Sequence, residues 1–172
     1  MKTAKLIING KEYEVQLTDE QVTEIENPKK VTGFERVEKN GRYYFENSYA
    51  EKDFCNVNDT IAAEIRYKAA NYYSDETLAE WCFRSDNLNR KMRRWAAEHN
   101  EESINWTDNL DSAPKKYTIY YRTDIKELHL SGAYCTMAPC KIYFATEEIA
   151  KAAIEEFGDE IRWLAENRPK WF

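Results

Sequence analysis

Glycine and histidine are scarce in this chain, whose 172 residues include five glycines and two histidines. So few glycines leave little room for a glycine-rich loop that cradles phosphates. Nucleophilic catalysis needs a base beside a thiol or hydroxyl, and His99 and His129 are the only imidazoles. His99 falls at the end of a predicted helix, where the dipole stabilises its cation, and His129 alternates with Leu128 and Leu130 as on a strand. We therefore expect no catalytic residue and no enzymatic activity, with a small enzyme of unknown reaction as the least favoured alternative.

Long apolar runs are also absent, which bears on membranes and export. No stretch approaches the roughly 18 consecutive apolar residues of a membrane-spanning helix. Residues 1–5 lead into an alternating, strand-like pattern instead of the apolar core of a signal peptide. The sequence therefore predicts a cytoplasmic protein without a membrane partner.

The four cysteines, Cys55, Cys82, Cys135 and Cys140, are scattered along the chain. In a chain with no export signal, free thiols are expected. Cys135 and Cys140 invite a metal-binding interpretation together with His129, but no second pair of ligands stands near them in sequence. They would form a disulfide only in an oxidising setting. We predict no metal site and no cofactor.

Charged residues make up 33% of the chain and aromatic residues 14%, a combination that excludes intrinsic disorder. Twelve tyrosines outnumber seven phenylalanines. Tyrosine suits positions with one buried and one wet end, so the excess favours half-buried strand positions, with interface anchors as the alternative. The net charge of −6 argues against a protein whose main function is to bind the phosphate backbone of nucleic acids.

Residues 74–99 are predicted to form one long amphipathic helix that organises the core. Apolar and small side chains recur along it at three- and four-residue steps, which places them on one stripe. These residues are Leu78, Trp81, Cys82, Ser85, Leu88, Met92 and Trp95. Ser74 is the predicted N-cap, and the two tryptophans are expected to lie in the core.

The rest of the pattern predicts an α+β fold, with N-terminal β-hairpins, this central helix, and a C-terminal antiparallel sheet with a packed helix. The first hairpin is predicted at 4–17, around the Asn9-Gly10 dipeptide, and Thr18 begins a capping box for a short helix. The second hairpin is predicted at 34–46, with Asn40-Gly41 near its turn.

A second helix is predicted at 61–73, with an apolar face that includes Ile61 and Ile65. Three strands are predicted in the C-terminal part, at 116–121, 127–130 and 141–144. Thr146 should cap the following helix and Gly158 should end or bend it, with one more short helix after it.

We expect residues 1–172 to form a single compact domain with four parts. These are a β-rich lobe at 1–57, a helical middle at 58–99, an acidic linker at 100–114 and a C-terminal α+β lobe at 115–172.

Five segments carry a resemblance: INGKEYEV (8–15), TGFERV (32–37), ANYYSDETLAE (70–80), KYTIYY (116–121) and IYFATEEIA (142–150). In these segments the chain resembles small accessory proteins of phages and prophages in Gram-positive bacteria. The resemblance covers most of the chain, and its motifs are structural, so no site residue is carried over. It implies a setting in which many small proteins bind and disable host defence factors, anti-CRISPR proteins among them.

Two acidic stretches could supply a binding surface in such a setting. Residues 147–160 hold six acids against Lys151 alone, a local charge of −5, and residues 98–111 hold five acids without lysine or arginine. The predicted partner-binding residues are Glu101, Glu102, Asp108, Asp111, Glu147, Glu148, Glu155, Glu156, Asp159 and Glu160. Such a surface could occupy the cationic nucleic-acid channel of a partner, as a DNA mimic does.

We therefore predict a phage-encoded, non-enzymatic inhibitor that binds through an acidic and tyrosine-rich surface and acts in the bacterial cytoplasm. Its partner would be a host protein or ribonucleoprotein complex that handles nucleic acid. The oligomeric state is left open.

A basic run near the end of the long helix supports a different function. Residues 84–94 carry five basic groups and one acid, Asp86, a local charge of +4. The basic residues are Arg84, Arg90, Lys91, Arg93 and Arg94. They could contact nucleic-acid phosphates directly, or they could simply complement the helix dipole and the acidic stretch that follows. Direct nucleic-acid binding is thus the alternative function.

Overall fold

The computed structural model describes residues 2–28, 31–58, 61–100, 115–133 and 141–170. Within them the fold is α+β, as predicted, with four helices and three two-stranded antiparallel sheets. The elements in chain order are β1 (Lys2–Ile8), β2 (Lys11–Leu17), α1 (Asp19–Glu26), β3 (Arg42–Glu46), β4 (Lys52–Asn56), α2 (Ile61–Lys68), α3 (Glu76–His99), β5 (Lys116–Arg122), β6 (Glu127–Ala133) and α4 (Glu147–Glu166). The chain divides into two units, Met1–Glu35 and Arg36–Phe172.

The first unit contains the predicted N-terminal hairpin and its capped helix. Asn9 and Gly10 have φ of 51° and 78°, as a type I′ turn requires, and they join β1 to β2. The capping box is also confirmed. The backbone N–H of Gln21 donates to Thr18 Oγ1 at 3.2 Å, and Gln21 Oε1 accepts from the Thr18 N–H at 2.9 Å.

The second predicted hairpin is wrong in its pairing. Residues 34–37 form no strand, and β3 pairs instead with β4, a segment for which no strand was predicted. The turn between them is built by Asn47, whose Oδ1 accepts from the backbone N–H groups of Tyr49 and Glu51. Asn40-Gly41 therefore precedes β3 instead of joining two strands.

The predicted helix at 61–73 ends early, at Lys68. Ala70 takes φ of 54°, its N–H donates to Tyr67 O at 3.1 Å, and the Asn71 N–H donates to Arg66 O at 2.9 Å. This pair of bonds is a Schellman motif, usually formed with glycine at the left-handed position. No glycine marks this end in the sequence, which is why the prediction ran too long.

The predicted apolar face of α2 is also wrong, since Ile61 is 80% exposed and Ile65 is 60% exposed. The residue of α2 that is buried is Ala63, which joins a core cluster with Tyr43, Phe45 and Tyr72. Tyr43 and Tyr72 are buried, and their rings stack with centres 4.3 Å apart, where half-buried tyrosines were expected. Burial is tolerated because Tyr72 Oη accepts from the Val37 N–H at 3.0 Å and Tyr43 Oη accepts from Arg66 Nη1 at 2.6 Å.

The long helix is confirmed as α3, but its N-cap is Asp75, not Ser74. Asp75 Oδ1 accepts from the Leu78 N–H at 2.7 Å, a capping bond that the aspartate supplies one residue later than predicted. The buried residues of α3 are Leu78, Ala79, Phe83, Leu88, Met92 and Ala96. Trp81 and Trp95 pack partly buried against the core of α3, α4 and the β5–β6 hairpin.

The predicted strand at 141–144 is wrong, because only one bridge forms there, between Tyr117 and Phe144. The side chain of Asn100 binds this segment in place of a strand neighbour. Its Nδ2 donates to Tyr143 O at 3.3 Å and its Oδ1 accepts from the Ala145 N–H at 2.9 Å.

The C-terminal helix does not end at Gly158, and the residues predicted to form a further short helix are part of it. α4 runs unbroken to Glu166, and Gly158 is buried within it. A Cβ at Gly158 would come within 3.2 Å of Leu128 Cδ1 on β6. The glycine therefore allows α4 to lie close against the hairpin instead of breaking the helix.

Candidate interaction surface

The α4 helix places the predicted acidic residues 147–160 along one rigid element. Its N-cap Thr146 accepts from the Ile149 N–H at 3.2 Å. Ala150, Ala153 and Leu164 are buried, so the charged side of the helix faces away from the core. The pKa of Glu148, in the first turn, is lowered by its own backbone N–H and by the Thr146 hydroxyl. Glu148 is therefore ionised at neutral pH, within a row of acidic side chains along this helix.

Three carboxylates of the row are exposed and make no ion pair with the described part of the chain: Glu148 and the adjacent pair Glu155 and Glu156. The neighbouring carboxylates are partly neutralised. Glu147 pairs with Lys151 at 2.8 Å and Asp159 pairs with Arg162 at 2.8 Å. The strongest unneutralised charge in the predicted row therefore lies at its centre.

Glu160 differs from the rest of the row because Arg84 of α3 holds it. The Arg84 Nε and Nη2 atoms donate to Glu160 Oε1 and Oε2 at 2.7 and 2.6 Å, while its Cζ lies 3.5 Å from the centre of the Trp163 ring. These bonds lower the pKa of Glu160 and raise the pKa of Arg84. We define this set of three residues as the α3–α4 clamp, which fixes the charged face of α4 and takes Glu160 out of the available surface.

Ion pairs within the chain also neutralise part of the basic run of α3. Besides Arg84, Arg90 pairs with Glu46 at 2.8 Å, and Arg94 lies 3.8 Å from Glu98. Lys91 and Arg93 are exposed and form no ion pair with any residue the structure describes. Two of the five predicted basic residues are therefore free of ion pairs within the described ranges.

The predicted basic and acidic surfaces meet in one groove between α3 and α4. The groove has a volume of about 570 Å³, with Lys91 and Arg94 on one wall and Glu156 on the other. Trp95 and Phe157 also line it. Because both signs of charge face the groove, the basic residues there are less attractive to a phosphate backbone than their sequence suggests.

The two histidines and Cys82 are further candidate reactive groups among the described residues, and their surroundings do not activate them. His99 stacks on Trp95 at 3.8 Å, and His129 Nε2 is 3.4 Å from Glu127 Oε2. Burial raises the pKa of Cys82 to about 11, which keeps its thiol protonated at neutral pH.

Several predicted residues lie outside the described ranges: Glu101, Glu102, Asp108, Asp111, Cys135 and Cys140. Within those ranges, no three His, Cys, Asp or Glu side chains are grouped closely enough to hold a metal ion. No helix in the described part of the chain combines the length and apolar character that crossing a bilayer requires.

The chain matches no protein-family model, no curated protein and no solved structure. The resemblance to phage accessory proteins therefore stays a prediction.

One surface was missed by the sequence analysis, on the hairpin of the first unit. Leu6, Ile8 and Tyr13 lie on the same face of the β1–β2 sheet and are 47%, 50% and 49% exposed. The sequence predicted the hairpin itself but not the exposure of its apolar face. A signal was available in the short α1, which has too few apolar residues to cover seven-residue strands.

Proposed function

We propose that this chain is a non-enzymatic interaction protein that binds a cationic surface of its partner through the outer face of α4. The observation that carries the proposal is the exposed, unneutralised pair Glu155 and Glu156 at the centre of a carboxylate row. Complementary charge speeds association and selects partners, and a preformed face loses little entropy on binding. The α3–α4 clamp keeps that face in place before the partner arrives.

The partner that suits such a face is a groove that otherwise holds nucleic acid. A basic channel that binds nucleic acid interacts with the negative charges of the phosphate backbone. A row of carboxylates on a helix presents charges of the same sign to that channel. In the phage setting that the resemblance implies, we propose a host defence complex of the kind that anti-CRISPR proteins disable, in the bacterial cytoplasm. The chain would act by occupying the channel, without a reaction or a cofactor.

Affinity capture from host lysate tests the proposal with a charge-matched control. The baits are the wild-type chain, the double variant Glu155→Lys/Glu156→Lys, and a control, Glu24→Lys/Glu51→Lys, which reverses two exposed acids elsewhere. The proposal expects a nucleic-acid-handling protein that the wild type and the control capture, that the α4 variant loses, and that added DNA or RNA displaces. Equal capture by the α4 variant would rule out this surface.

Direct nucleic-acid binding through Lys91 and Arg93 is the alternative, favoured by their exposure and their lack of ion pairs with described residues. It predicts that the chain alone shifts labelled single- or double-stranded nucleic acid in a gel. The shift should weaken as salt rises and disappear in Lys91→Ala/Arg93→Ala. Such a shift by the purified chain would replace the acidic-surface proposal.

A further inference from the structure

The hairpin of the first unit leaves both an apolar face and a strand edge open. On the apolar face, Leu6 and Ile8 of β1 adjoin Tyr13 of β2, and all three side chains are about half exposed. In the described part of the chain, β1 has β2 as its one strand neighbour, so its outer edge is unpaired. A two-stranded hairpin is marginally stable in water, whereas three or more strands with an apolar face are stable.

In the β3–β4 hairpin, side chains bind backbone groups along the outer edge of β4. On β4, Asp53 Oδ1 accepts from the Phe54 backbone N–H at 2.8 Å, and Cys55 Sγ contacts Asn56 O at 3.4 Å. These side chains occupy backbone groups that another strand would use. Among the described residues, no side chain binds the backbone of β1 in this way. The edge of β1 is therefore open to a further strand.

We propose that β1 pairs antiparallel with β1 of a second copy of this chain, about a two-fold axis at Leu6. The product is a four-stranded antiparallel sheet, β2–β1–β1–β2, with one continuous apolar face. Residues next to a two-residue turn exchange both hydrogen bonds, so Ile8 and Leu6 bond to β2, while Lys5 and Ile7 direct their N–H and C=O groups outward. In this register, Lys5 of each copy exchanges both bonds with Ile7 of the other.

Charge and the position of the turn together select this register over its neighbours on β1. A two-fold axis at Lys5 would place two lysines directly opposite each other, which is unfavourable. An axis at Ile7 would place Lys5 opposite Asn9. Asn9 has a positive φ and belongs to the turn, so it does not continue the strand. With the axis at Leu6, Ala4 lies opposite Ile8 and no like charges are paired.

The edge of β2 is less suited to a second copy because it carries more charge. Its outward residues include Glu12 and Glu14. An axis at Glu14 pairs two glutamates, and an axis at Tyr13 pairs Glu12 with Glu14 of the other copy. Like charges directly opposite destabilise an antiparallel pair. Only one of the three outward residues of β1 is charged, whereas two of the three on β2 carry the same charge, so β1 is the edge that better fits a second copy.

Sedimentation equilibrium of the full chain, from about 1 μM to about 1 mM, tests the pairing. The wild type is expected to show a monomer–dimer equilibrium. Ile7→Pro removes an outward N–H from each copy without removing a hairpin bond, and it should weaken the dimer at least about tenfold. Glu14→Pro makes the same change on the edge of β2 and should leave the dimer intact. A wild type that stays monomeric throughout, or equal weakening by both prolines, overturns the proposal.

Disulfide trapping tests the register and does not depend on the proline variants. Leu6→Cys places two thiols opposite each other at the axis, in a non-hydrogen-bonded pair with Cα atoms about 4.5 Å apart. Ile8→Cys, the matched control, lies opposite Ala4 of the other copy. Oxidation should link the Leu6→Cys chains into dimers well above the Ile8→Cys and wild-type background. Equal linkage of both variants, or none, contradicts the axis at Leu6.

Discussion

The α3–α4 clamp offers a quantitative test of how the acidic face is held. The carboxylate of Glu160 is bound at two points by Arg84, and both side chains are 34% exposed, so solvent weakens their attraction. The ion pair should contribute about 1 kcal/mol, the upper end for such pairs, because it is bidentate. Stacking of Arg84 on Trp163 should add about 0.5–1 kcal/mol.

We therefore expect Glu160→Gln to reduce the free energy of unfolding by about 1 kcal/mol and Arg84→Ala to reduce it by about 2 kcal/mol. The double variant should show a coupling of about 1 kcal/mol that shrinks in 1 M NaCl. Urea denaturation followed by tryptophan fluorescence is the assay, and it reports the second unit because all five tryptophans follow Arg36. No coupling, or a loss from Glu160→Gln as large as that from Arg84→Ala, would refute this account of the clamp.

Two further predictions concern local backbone structure. Backbone N–H groups of Thr32 and Gly33 and the Thr32 hydroxyl bind the Glu35 carboxylate, and these bonds lower its pKa to about 2 from 4.5. The stabilisation is therefore complete above pH 4.5 and is lost as the pH falls towards 2; an NMR titration should find this pKa, and an ordinary value would contradict the turn. Ala70→Gly should raise the free energy of unfolding by about 0.5–1 kcal/mol in urea, because Ala70 has φ of 54°, and a loss of stability would show that this φ is not maintained.

Elements with a complete local signal were predictable from the sequence. The turn between β1 and β2 is determined by its own two residues, Asn9 and Gly10. The capping bonds of Thr18 and Thr146 each connect residues that are three positions apart. The end of α2 was not predictable in this way, because alanine at residue 70 gives no sign of a left-handed conformation.

Elements that depend on distant partners were mispredicted. The segment 141–144 has strand-like residues, but Asn100, more than 40 residues earlier, binds its backbone. The acidic residues of α4 could be found by counting charges. The sequence did not show which of these carboxylates remain available to a partner. Glu160 is bound by Arg84, which lies 76 residues earlier in the chain. Charge composition thus indicates the kind of surface, while tertiary ion pairs determine which carboxylates remain in it.

The most direct test of the central claim is the association rate of the captured partner with the immobilised chain, measured at several ionic strengths. The account predicts fast association with the wild type and with Glu24→Lys/Glu51→Lys, which slows steeply as salt rises. For Glu155→Lys/Glu156→Lys it predicts at least about tenfold slower association with a shallow or reversed salt dependence. An association rate that is the same for all three chains at every salt concentration would contradict recognition through the acidic face of α4.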